Sequence, residues 1–158
     1  MRKLLILASI AMIACSGGVQ NDTPLPNSIQ QMQLNEIIRG EEADDIITNL
    51  HQKVVTDQQN IIGKYEGTDG KATLYLTIYD DADSPVEDLD AMAKRIQDPD
   101  VGSQMGFQHV RQLTNYGDHI YMALQNNRAH YFYVEENMLY WLDVNPQVAM
   151  PAIKQLVQ

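Results

Sequence analysis

With 158 residues, 44% of them apolar and 20% charged, the chain holds enough material for one self-sufficient core. Its formal net charge of −10 argues against nucleic acid and against electrostatic docking on anionic lipid, both of which need a basic surface. A lone cysteine excludes an internal disulfide, so packing must hold the fold.

In chain order, Arg2 and Lys3 precede an almost uninterrupted apolar run from Leu4 to Ile13. This is the layout of a secretory leader. A spanning helix needs roughly 20 apolar residues, about twice this run. The run ends at Cys15, and Met12-Ile13-Ala14-Cys15 resembles the lipobox of bacterial lipoproteins, Leu-Ala/Ser-Gly/Ala-Cys. It matches at the last two positions and departs at Met12 and Ile13. The resemblance implies a leader over residues 1–14, diacylation of the Cys15 sulfur and N-acylation of the new terminus. Cys15 is then a membrane tether, since one acyl chain, at ~0.8 kcal/mol per buried CH₂, binds only marginally and several are needed. Ser16 in place of an aspartate further implies sorting to the outer membrane, facing the periplasm. Cleavage after Ser9-Ile10-Ala11 is the competing reading, and it leaves an odd thiol in an oxidising compartment. Loss of the leader leaves nine basic residues against 21 acids, a net of −12. Residues 15–27, rich in Gly, Pro and polar side chains, read as a lipid-anchored flexible linker with a reach of roughly 20 Å. A single domain then occupies residues 28–158.

Within that domain Ile29 to Ile38 reads as a weak helix. After Gly40, Ala43, Ile46, Ile47, Leu50 and Val54 fall at helical spacing behind an acidic first turn. Ile61 to Glu66 reads as a strand, and Thr68-Asp69-Gly70 as a turn. In the following strand Ala72, Leu74, Leu76 and Ile78 alternate with Thr73, Tyr75, Thr77 and Tyr79. The acid-rich stretch from Asp80 to Asp100 fails the EF-hand pattern, because counting from Asp81 puts Val86 and Met92 where Gly and Glu are required. It reads instead as a helix start, with Ser84 as N-cap, Pro85 at N1 and Glu87 at N3. Val86, Leu89, Ala93 and Ile96 form its buried stripe, and Asp98-Pro99 ends it. Four strands follow as a meander: Phe107 to Thr114, His119 to Gln125, Arg128 to Val134 and Met138 to Val144. Asn126-Asn127 and Glu136-Asn137 are the tight turns. A terminal helix spans 146–157.

The expected fold class is therefore α+β: a single antiparallel sheet of two strands, a helix, a four-stranded meander and a C-terminal helix, with an N-terminal helix packing on it. In element order alone this is similar to the PsbP-like sandwich, a likeness that carries no functional residues across. The helices at 85–97 and 146–157 are expected to cover Leu74, Leu76 and Ile78. The helix from Ala43 to Val54 is left to cover the opposite, aromatic face.

Most catalytic signatures are missing: there is no H-E-x-x-H, no G-x-x-x-x-G-K and no G-x-S-x-G. Ser103 has no base or elbow motif beside it. His51, His109, His119 and His130 do not assemble a metal site. In the expected register His119 and His130 share a face roughly 13 Å apart at ~3.4 Å per residue, too far for one ion. No metal or cofactor is expected. A two-residue turn at Glu136-Asn137 puts His130 opposite Asp143 and predicts a raised imidazole pKa. The feature nearest to function is a second apolar face on the sheet: Tyr75, Tyr79, Tyr121, Phe132 and Trp141 form a candidate partner-binding face. The reading is a lipid-anchored, non-catalytic binding or accessory domain with a protein partner in the cell envelope. Its alternatives are a carrier of a small apolar ligand and a hydrolase pairing carboxylates from Glu66, Asp118, Glu135, Glu136 and Asp143.

Overall fold

The computed structural model describes residues 22–51 and 58–157. Cys15 and the leader lie outside these residues, as does Val54, the expected end of the first helix. Eight strands form one curled antiparallel sheet: β1 (Ser28–Ile29), β2 (Met32–Arg39), β3 (Gln59–Gly67), β4 (Gly70–Ile78), β5 (Gln108–Gln112), β6 (Ile120–Gln125), β7 (Arg128–Glu135) and β8 (Met138–Val144). Their order is β1-β2-β3-β4-β8-β7-β6-β5. The helices are α1 (Glu41–His51), α2 (Ser84–Gln97), α3 (Pro99–Gln104) and α4 (Ala149–Leu156). No helix among the described residues is long and apolar enough to cross a membrane.

The expected fold class, a two-strand plus four-strand sheet carrying an N-terminal helix, is thus corrected. Residues 28–29 and 32–39 are strands joined by a tight turn, and they extend the sheet to eight. The reason lies in a bulge. The β2–β3 register shifts between Leu34 and Glu36, so Leu34 and Ile37, three residues apart, point to the same core. Ile38 turns to the other face. An inserted residue converts alternation into a spacing that mimics a helix.

The remaining strands follow their local chemistry. Asn126 and Asn127 both adopt positive φ, 51° and 59°, the two-residue geometry that matches strand twist, and they pair Gln125 with Arg128. Glu136, at φ 54°, turns β7 into β8 so that Glu135 pairs with Met138 and His130 with Asp143, as the short turn requires. Gly67 answers to crowding: a Cβ there would stand 2.0 Å from the Gln31 carbonyl oxygen.

The helices begin differently from the expected capping box. Asp83, not Ser84, is the N-cap of α2, and it makes no side-chain cap. The Asp81 carboxylate does that work, accepting from the Asp83 and Ser84 amides at 2.9 and 2.8 Å and from the Ser84 hydroxyl at 2.7 Å. Asp98 ends α2 and caps α3, taking the Asp100 and Val101 amides, with Pro99 at N1.

Two faces follow. One encloses the main core, where Ile29, Met32, Leu74, Leu76, Tyr131 and Leu142 meet Ala149, Ala152 and Ile153 of α4. Tyr133 and Tyr140 stack there, 4.7 Å apart and 4° from parallel. The other face carries two smaller clusters. Ala43 and Ile47 of α1 pack on Ile38 and Ile62, while Leu89 and Ile96 of α2 pack on Tyr79, Phe107, Ala123, Phe132 and Leu139. Hence α2 does not share a layer with α4. It lies on the aromatic face beside α1.

Candidate functional site: an aromatic cleft beneath two helices

The alternation of β4, β7 and β8 sends Tyr75, Phe132 and Trp141 to one face, and the register aligns them: Tyr75 pairs with Trp141, and Trp141 with Phe132. The Trp141 ring centroid is 4.9 Å from Phe132 and 5.6 Å from Tyr75, both tilted. Phe107, entering from the loop before β5, meets Phe132 edge-on at 6.0 Å. Tyr79 is fixed at both ends. Its amide donates to the Asn137 carbonyl at 2.9 Å, and its hydroxyl donates to the Asp88 carboxylate at 2.9 Å. Burial is the main force raising its phenol pKa, so the ring stays un-ionised.

Two helices cover this face incompletely and leave a cleft of about 160 Å³. Tyr79, Phe107, Phe132 and Trp141 line it together with Met92, Met105 and Leu139, and Leu50 of α1 closes one side. The half-buried Asp88 and the exposed Arg95 are its charged members. Buried Thr77 also lines it and donates to Asn60 Oδ1 at 2.8 Å, while Asn60 Nδ2 donates to Asp44 of α1 at 2.9 Å. A small depression toward α1 continues the cleft past Tyr75 and Ile47.

Of the five residues assigned to a partner-binding face, Tyr79, Phe132 and Trp141 line the cleft, and Tyr75 lines its extension. Tyr121 lines neither. It is half-buried beside α2, with its hydroxyl 3.5 Å from Asp90. Phe132 and Tyr79 are buried, so the face offers a cleft wall and not a flat patch. Phe107, Met92, Met105 and Thr77 were not foreseen as site residues. Thr77 shares the strand face of Tyr75, the one signal that pointed to it.

His130 is placed opposite Asp143 as expected, yet its chemistry is reversed. The carboxylate is engaged by Arg128, whose Nε donates to Asp143 Oδ1 at 2.6 Å. His130 is 5% exposed, and its Nδ1 accepts from the Trp141 indole N–H at 3.0 Å. Burial drives its pKa below the ordinary 6.5, outweighing the Asp143 charge that would raise it. The expected upward shift is therefore corrected to a downward one.

The carboxylates named for hydrolysis do not enter the cleft, whose acid is Asp88. Glu66 pairs with Lys71 at 3.1 Å and Asp143 with Arg128, while Asp118 and Glu135 are exposed at the edge of a second, open depression of about 270 Å³. Among the described residues no group of three or more His, Cys, Asp or Glu side chains is arranged to hold a metal ion. The chain matches no protein-family model, no curated protein and no solved structure.

Proposed function

We propose that this chain is a lipid-anchored binding domain of the bacterial envelope, tethered through Cys15 on the periplasmic side of the outer membrane, and that its aromatic cleft takes an apolar anchor from a protein partner. The observation that carries the reading is the cleft itself. An apolar cavity of about 150 Å³ holds one benzene ring, whereas sites for larger ligands run to ≈ 300–1,000 Å³. At about 160 Å³ the cleft matches one aromatic or branched aliphatic side chain and lies below the range of sites for larger ligands. Size thus favours a protein partner over the carrier alternative, because interfaces are anchored by single buried side chains of this kind.

Toluene and p-cresol, the side chains of Phe and Tyr, are suitable probes. Each should shift the indole N–H resonance of Trp141 saturably, and Ala91→Trp, which fills the cleft from its exposed side, should weaken that binding at least tenfold. A photoreactive residue at Ala91 should crosslink a discrete envelope protein in cells and lose that product on competition with toluene. No saturable shift, or no crosslink, overturns the reading. The tether is tested separately: Cys15→Ala should accumulate precursor and abolish incorporation of labelled palmitate, and normal maturation of that variant would refute lipidation.

A further inference from the structure

We propose that His130 is a proton-operated latch on Trp141: taking up one proton breaks the indole–imidazole hydrogen bond, shifts the Trp141 ring and reshapes the cleft that this ring lines. The inference rests on bonding geometry and holds whether or not the cleft receives a partner.

Nδ1 of His130 accepts from Trp141 Nε1–H at 3.0 Å. An acceptor Nδ1 has a free lone pair, so the single proton of the neutral ring sits on Nε2. A second proton, drawn from solvent, can bind only at the lone pair that Trp141 now uses. In the imidazolium both nitrogens are donors, and Nδ1–H would face the indole N–H, donor against donor. The two rings cannot keep their present arrangement. Nε2 is buried with no hydrogen-bond partner and His130 is 5% exposed, so solvent does not take over the bond that Trp141 loses. Phe107 meets the imidazole edge-on at 5.8 Å and closes another side.

The charges around the ring make the latch neutral at rest and responsive to acid. On β8 Asp143 favours the charged form, but Arg128 on β7 already holds it at 2.6 Å and itself disfavours that form. The Gln125 backbone carbonyl also favours the charged ring. Tyr75 on β4, which feels the same Asp143 and Arg128, is held un-ionised by burial. The β6 neighbour is Ala123, which has no charge. From α2, Asp88 and Arg95 line the cleft on which Trp141 also borders. Burial wins over these charges, so protonation falls below the ordinary 6.5.

Trp141 is the chain's sole tryptophan, so its emission reports this one ring. Between pH 7 and 4 the full chain should show a single-proton step in Trp emission centred below 6.5, with far-ultraviolet dichroism unchanged. His130→Asn puts a non-titrating acceptor oxygen near the Nδ1 position, and its emission should be flat over that range. No step in the wild type while it stays folded, or a step that persists in His130→Asn, overturns the latch. Should that variant fail to fold, the wild type decides alone by NMR: the His130 ring C–H and the Trp141 indole N–H must titrate with one midpoint, and different midpoints overturn it.

Discussion

His130 shows how a correct register can carry the wrong electrostatics. Position 130 faces Asp143 because a two-residue turn fixes the pairing. A cross-strand carboxylate would raise an exposed imidazole, but this one is buried among Phe107 and Trp141 and its carboxylate is shared with Arg128. The consequence for stability has a definite sign. A histidine whose folded pKa lies below its unfolded value binds fewer protons when folded, so its contribution is complete above about 6.5 and is lost as pH falls through the window below it. Each unit of pH inside that window costs up to about 1.4 kcal/mol. Urea midpoints should therefore fall between pH 6.5 and the folded pKa, and His130→Asn should flatten that part of the profile. Arg128→Met removes the cation that disfavours imidazolium and frees the Asp143 carboxylate. The His130 ring C–H titration should then move upward toward 6.5; an unchanged or lower midpoint would show that burial alone sets the value.

At the scale of elements, legibility tracked how local the determining physics was. The hairpins at Asn126-Asn127 and Glu136-Asn137 were readable because turn residues with positive φ fix register within a few positions. The end of α2 was readable from Asp98-Pro99, but α3 was not, since six residues give too little period to recognise. β2 looks helical in sequence because its bulge resets the alternation between Leu34 and Glu36. The layer of α2 is hidden in the sequence for a different reason. A stripe of Leu89, Ala93 and Ile96 says that a helix is buried on one side, not which face of the sheet it covers. The aromatic residues were found by alternation, whereas the cleft depended on how α1 and α2 share that face, a tertiary fact. Ile47 measures what α1 contributes there. It is 1% exposed between Ile38 and Ile62, so Ile47→Ala should cost about 2–5 kcal/mol in denaturant unfolding. A cost within ±0.5 kcal/mol, as for an ordinary surface site, would show that α1 is not a structural cover.

For the molecule as a whole, the open question is what holds an eight-stranded sheet in a curl when its two ends, β1 and β5, do not pair. The answer is α4. Its Ala149, Ala152 and Ile153 belong to the one main core that joins both halves of the sheet, with Ile29 and Met32 from one end and Ile120 and Met122 from the other. The turn between β1 and β2 is stitched to the same helix: the Gln30 amide donates to Gln155 Oε1 at 2.8 Å, Gln30 Nε2 donates to the Pro151 carbonyl at 3.0 Å, and Gln155 Nε2 donates to the Ser28 carbonyl at 2.9 Å. These bonds are exposed, so they orient the helix more than they hold it. Gln155→Ala should cost about 1 kcal/mol, with an unchanged denaturant slope. The apolar contacts matter more. Burying one large aliphatic side chain is worth roughly 1.5–3 kcal/mol, and removing α4 also uncovers the core residues beneath it. A chain ending at Asn145 keeps every strand but should lose its fixed packing. Its far-ultraviolet dichroism should survive in part, its near-ultraviolet signal should disappear, and it should bind ANS and aggregate. A truncated chain that stays monomeric with cooperative melting would mean that the sheet closes on itself and that α4 is only an appendage.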